Sequence, residues 1–166
     1  MILVTVGTEQ YPFNRLMNWI DALLNHNLIV DEVVVQYGSS TILPSGAKVY
    51  KVLKEDRFQD LIQQAQVIIA HCGEGSVLLL DALDKPFILV PRCHAFKEHV
   101  DDHQIEMALA LASVNVPIAW SPGDLVRFLQ APQKVTVTDF SETAAISLCQ
   151  NLRQQFGLSQ DSVSSH

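Results

Sequence analysis

The chain has 166 residues, 48% of them hydrophobic and 17% charged, with a formal net charge of −7 at pH 7. That length suits one domain able to bury roughly 70% of the surface its unfolded chain exposes. The acidic balance, with no Lys/Arg cluster, argues against nucleic acid as a partner, and no apolar run approaches the roughly 18 residues that span a bilayer. Cys72, Cys93 and Cys149 are far apart and in no Cys-x-x-Cys pair, which fits a reducing cytoplasm better than a disulfide framework or a zinc site.

The start, Met1 to Gly7, has no basic flank and reads as a buried first strand, Ile2 to Val6, rather than a signal peptide. After the polar loop Gly7 to Tyr11, Pro12 opens a helix in which Phe13, Leu16, Met17, Ile20, Leu23 and Leu24 share one face. Glu32 to Tyr37 is a second strand ending in the polar turn Gly38-Ser39-Ser40, and Lys48 to Leu53 a third. Phe58, Leu61, Ile62 and Ala65 mark a short helix leading into a strand over 67–72, and Ser76 to Leu83 marks another helix. Beyond Lys85-Pro86, Phe87 to Val90 is a strand without a polar residue, as expected when both faces are covered. A long loop from Pro91 to His99 precedes a helix over Asp101 to Ala112, and Val116 to Trp120 is a last short strand. Pro122-Gly123-Asp124 caps a helix from Leu125 to Leu129, Ser141-Glu142-Thr143 starts a C-terminal helix to Phe156, and 159–166 is a polar, disordered tail.

Apolar strands alternating with amphipathic helices specify a doubly wound α/β domain over residues 1–158 with a mostly parallel, Rossmann-like sheet. Ligands in such sheets bind at the carboxyl ends of the strands, where the loops 7–11, 38–41, 71–76 and 91–104 are expected.

The stretch His71-Cys72-Gly73-Glu74-Gly75-Ser76 carries the chemistry. A strand that feeds a helix through glycines can hold an anion, because the first helical amides lack partners and glycine lets an oxyanion approach the backbone. The alternative is that Gly73 and Gly75 only make a tight turn, and Cys72 is either a reactive thiol or a small buried filler. The nicotinamide-dinucleotide fingerprint is excluded, since the first turn has a single Gly7 and the second strand ends in Gln36-Tyr37-Gly38; no Gly-Lys-Ser/Thr phosphate loop and no Gly-x-Ser-x-Gly elbow occurs. The cluster His94, Glu98, His99, Asp101, Asp102, His103 and Gln104 tempts a metal reading but lacks a His-Glu-x-x-His order. Helix capping by Asp101 and Asp102, or polyol recognition by Asp102, His103 and Gln104, suits these residues better.

Val4-Thr5-Val6-Gly7-Thr8 with Phe13-Asn14-Arg15-Leu16, then 71–76, Lys85-Pro86, Val90-Pro91-Arg92 and Glu98-His99-Val100-Asp101-Asp102-His103-Gln104, resemble the family 28 glycosyltransferase C-terminal domain over residues 1 to about 130. The chain is most similar to the stand-alone version, as in the catalytic subunit of the two-subunit dolichol-pathway UDP-GlcNAc transferase and in bacterial exopolysaccharide transferase subunits. The resemblance implies the C-terminal half of a GT-B enzyme, a UDP-sugar-dependent hexosyltransferase in polysaccharide or glycolipid synthesis. A membrane-associated partner subunit would bind a lipid-linked acceptor and supply the base, holding this chain peripherally at the inner face of the membrane. Gly7 and Thr8 would then lie near diphosphate and sugar, Gly73, Gly75 and Ser76 with His71 would hold the pyrophosphate, and Asp102, His103 and Gln104 would face the sugar. Arg92 would offset the charge of Glu74 beside that pyrophosphate, or else be a solvated loop charge. Relatives carry a ribose-binding glutamate where this chain has Leu79, and Asp81 is rotated roughly 200° from it on a helix. No cofactor or metal is implied. The alternative is a non-catalytic nucleotide-sugar-binding or docking module, and Trp120, Phe128, Leu148 and Phe156 are candidates for a partner interface or a homodimer.

Overall fold

A computed structural model of the chain describes residues 1–135; the expected C-terminal helix with Leu148, Cys149 and Phe156, and the tail, lie outside the described residues. Five parallel strands, β1 (Ile2–Thr5), β2 (Val33–Gln36), β3 (Lys48–Tyr50), β4 (Val67–His71) and β5 (Phe87–Val90), form one sheet in the order β3-β2-β1-β4-β5. The chain winds outward from β1 to β3 and then returns to add β4 on the other side of β1. The loops after β1 and β4 therefore diverge, opening a crevice at the carboxyl edge. The segment expected as a last strand contributes a single bridge, Leu89 to Ile118, so it extends the sheet without becoming a full strand.

Period-two alternation divides the strands between two cores. Ile2, Val4 and Val6 pack with Leu16, Met17 and Ile20 of α1 (Asn14–Asn25) and Leu125 of α5 (Pro122–Gln130). Leu3, Ile68 and Leu89 face the opposite side. There they meet Leu61 and Ile62 of α2 (Glu55–Gln64), Val77 and Leu80 of α3 (Glu74–Asp81), and Ala108 and Leu111 of α4 (His103–Ser113).

Helix starts show how the polar segments are used. Ser121 rather than Pro122 to Asp124 caps α5, accepting the Asp124 N–H, and Pro122 sits in the first turn where a missing donor costs nothing. Phe13 precedes α1 without a capping side chain, and the turn after β2 supplies the missing acceptor. Ser40 Oγ accepts the Phe13 N–H at 3.0 Å, and Asn14 Oδ1 accepts the N–H groups of Thr41 and Ile42. The loop at 38–41, expected at the ligand edge, is thus an anchor for α1. Lys85 has a similar task, donating from Nζ to the carbonyls of Gln63 and Ala65 at the end of α2.

Candidate functional site

A cavity of about 510 Å³ lies at the carboxyl edge where the strand order reverses. Gly7 and Thr8 line it from the loop after β1, and His71, Gly73, Gly75 and Ser76 from β4 and the start of α3. These are six of the ten residues expected at the site. Its far wall is the connection from β3 to α2, with Val52 and Leu53, and the first turn of α2, with Glu55 and Phe58. A third strand running to Leu53, as the sequence predicts, would hide this wall; β3 instead ends at Tyr50, which turns residues 51–54 into another carboxyl-edge loop.

Gln36, the last residue of β2, fixes the floor. Its Oε1 accepts the Thr5 hydroxyl at 2.8 Å, and its Nε2 donates to the carbonyls of Gly7 and Lys51, both at 3.1 Å. One buried amide thereby ties the loops after β1 and β3 together, with all its polar atoms occupied within the protein.

His71 is 5% exposed and stands between two glycines. A Cβ at Gly7 or at Gly73 would overlap its ring, and Gly7 also has φ +74. Both glycines therefore make room for an imidazole as well as for a ligand. His71 Nε2 lies 3.0 Å from Ser76 Oγ, and Nδ1 lies 3.2 Å from Gln104 Nε2. Burial, then the electrostatic influence of Arg92 and His99, push its pKa down from 6.5 to about 3, so the ring is neutral at physiological pH. The folded state favours the neutral ring and the unfolded state protonates near 6.5, so this stabilisation is complete above that pH and is lost on acidification. Between about pH 6.5 and 3 each unit of acidification is expected to cost up to about 1.4 kcal/mol through this group. Thermal melts should fall less steeply with acid in His71→Asn than in the parent; parallel profiles would mean that the ring titrates normally.

Four expected site residues lie elsewhere. Arg92 does not line the cavity and is no solvated charge either, since it is fully buried. Nη2 donates to Val6 O at 2.6 Å, Nη1 donates to Tyr11 O and Glu98 O, and the guanidinium carbon lies 4.9 Å from the centre of the Phe13 ring. Burial lowers its pKa to about 10 against the opposing pull of Glu9 and Glu98, leaving it protonated at neutral pH. Gln104 is 2% exposed and faces inward to His71 and the Arg92 amide. Asp102 is exposed and accepts the His94 N–H, pinning the 3-10 turn at His94–Phe96, while His103 begins α4 outside the cavity. Of Asp101 and Asp102, both expected to cap this helix, only Asp101 accepts one of its first amides, the His103 N–H, and Asp102 makes no side-chain cap bond. Burial opposes ionisation of Asp101, but that amide and His99 outweigh it and lower its pKa.

Among the described residues no group of histidine, cysteine and carboxylate side chains is placed to hold a metal ion. The lining includes, among the described residues, Glu9, Glu55 and Glu74 but no lysine or arginine. Among the described residues, the groups that face an anion in the cavity are the open amides at the start of α3 and neutral donors such as Ser76. Leu79, at the position where relatives carry the ribose-binding glutamate, lines the cavity, whereas Asp81 does not; burial raises the Asp81 pKa. Cys72 is fully buried, which favours the filler reading.

The chain matches the glycosyltransferase family 28 C-terminal domain over residues 1–148. Its fold is similar to that of the glycosyltransferase SnogD from Streptomyces nogalater, at 20% identity and a TM-score of 0.52 over 92% of this chain and 39% of that one. It is also similar to the glycotransferase of kitacinnamycin, at 16% identity and a TM-score of 0.50 over 93% of this chain and 38% of that one. The chain thus spans less than half the length of these GT-B enzymes. Among curated proteins, none matches it. With the Rossmann-like sheet, the glycine turn on β4 and a family match that covers most of its length, the chain belongs to the glycosyltransferase family 28 C-terminal domain family.

Proposed function

We propose that this chain is the donor-binding, catalytic subunit of a two-component hexosyltransferase. It moves a hexose such as GlcNAc, Glc, Gal or GlcA from a UDP-sugar to a lipid-linked acceptor in polysaccharide or glycolipid synthesis. The observation that carries the reading is the cavity at the strand-order reversal, walled by the glycine turn 73–75 and the open end of α3. As the glycosidic bond breaks, the leaving UDP gains negative charge, and amides already aimed at it stabilise the transition state more than the ground state. No covalent intermediate is required.

Thr8, Glu74 and Gly75 are exposed at the cavity rim, so a second body has to cover it to exclude water during transfer. A membrane-associated subunit that binds the acceptor and supplies the base fills that place, bringing this chain to the inner face of the membrane from the cytoplasm. Among the described residues no helix is long and apolar enough to cross a membrane itself. Trp120 is 44% exposed and available for such a contact, whereas Phe128 packs partly against the core.

A thermal-shift titration of the full chain with UDP, UDP-GlcNAc, UDP-Glc, UDP-Gal, UDP-GlcA, GDP and NAD tests donor binding. Uridine diphosphates at a hundred times their dissociation constant should stabilise by about 2.7 kcal/mol, a shift of several degrees, while GDP and NAD should give none. Equal shifts with all seven, or a response to NAD alone, would remove the reading. Sugar transfer to a lipid-linked acceptor in membranes carrying the partner then separates an enzyme from a binding module.

A further inference from the structure

We infer that Gln104 is a positioning residue which, through the ring of His71, makes the Ser76 hydroxyl a dedicated hydrogen-bond donor to an anion in the cavity. The inference rests on the donor-site reading above for the identity of that anion.

The direction of each bond follows from what each group can do. The Arg92 backbone N–H only donates, and it lies 3.1 Å from Gln104 Oε1, so the amide oxygen faces Arg92. Gln104 Nε2 is then the end that faces the ring, 3.2 Å from His71 Nδ1. An amide NH2 only donates, so Nδ1 accepts and carries no proton. A neutral ring must then carry its proton on Nε2, which donates to Ser76 Oγ at 3.0 Å. The low pKa of the buried ring agrees with this neutral form.

Ser76 thus accepts from the protein, and its single proton remains to be given. Its hydroxyl lines the cavity beside the open amides of α3. In the opposite tautomer Nε2 would be an acceptor and would draw that proton inward. The glycines at 7 and 73 leave room for the imidazole in this position, and Gln104 is buried behind it. Gln104 therefore acts on the diphosphate end of a donor through His71 and Ser76.

The test uses the full chain. Two-bond ¹H–¹⁵N correlations of the His71 ring, recorded without ligand, should show the proton on Nε2 in the parent. Gln104→Glu keeps an acceptor for the Arg92 amide but places a second acceptor against Nδ1, so the same spectra of the variant, recorded at alkaline pH where the ring carries a single proton, should show that proton on Nδ1 and none on Nε2. UDP affinity should then fall by about ten- to a hundredfold, the worth of one hydrogen bond to a charged group. UDP-sugar affinity should fall in parallel, and the fall should be much smaller in a Ser76→Ala background, where no hydroxyl is left to direct. A proton on Nδ1 in the parent overturns the relay whether or not the variant folds. Equal losses in both Ser76 backgrounds, or a loss confined to UDP-sugars, would also overturn it. If the parent carries the Nε2 proton but binds no UDP, the donor-site reading fails and the proposed partner of Ser76 fails with it.

Discussion

Arg92→Met is expected to destabilise the protein by about 3 kcal/mol and to lower its melting temperature by roughly 6 to 12 °C. The side chain is fully buried and joins three separate stretches by their carbonyls: Val6 at the end of β1, Tyr11 in the loop that follows, and Glu98 in the loop after β5. Methionine keeps much of the volume against Phe13 but strips all three carbonyls of their donor. Glu98 keeps the second clamp, a bidentate pair with Arg15 at 2.9 Å, so the loops should loosen at the 7–11 side first. Arg92→Lys should recover less than half of the loss, since an ammonium is a point charge rather than a planar fork and does not stack as well on the ring. Because Gly7 shares this loop, UDP affinity should fall along with stability. A solvated loop charge, the other reading the sequence allowed, would move the melting temperature by only about a degree or two. Chemical and thermal denaturation of the three proteins measures the difference.

That example shows where sequence reading stopped. The sheet was legible because its strands are short apolar runs divided by amphipathic helices, and Phe87 to Val90 could be buried only between two layers. The glycine turn was legible because strand, glycine and helix signals meet within ten residues. The sequence marks positions 92, 98, 102 and 104 as polar groups near the ligand edge, but not the direction in which each side chain turns. Sequence spacing cannot tell a polar side chain that meets a ligand from one that meets a carbonyl some 80 residues away, and Arg92 to Tyr11 is such a pair. Several residues of the family motifs make contacts within the fold: Arg15 clamps Glu98, Lys85 closes α2, and Gln104 supports His71. The apolar side chains of that wall, Val52, Leu53 and Phe58, carry no signal of a ligand site in sequence, and only the end of β3 at Tyr50 puts them on the ligand edge.

Gly75→Val is expected to lower UDP affinity at least a hundredfold, and transfer in the reconstituted enzyme at least about a thousandfold, with little change in melting temperature. The three glycines of the site divide sharply. At Gly7 and Gly73 an added Cβ meets the His71 ring, so a loss of function there would not distinguish a displaced imidazole from a blocked ligand. At Gly75 a Cβ meets nothing within 4 Å, and the backbone is outside the left-handed region, so valine fits the folded chain. It lies in the first turn of α3, where valine is no worse a helix former than glycine. The new side chain would instead occupy the cavity where the α3 amides face an incoming anion. Gly75→Ala, with one methyl, should lose less than Gly75→Val, and the graded loss would track ligand approach rather than folding. Calorimetry with UDP on both variants, beside thermal melts of each, is decisive. Parent-like affinity in Gly75→Val would mean that the diphosphate does not approach the start of α3, and the electrostatic account of leaving-group stabilisation would have to be abandoned.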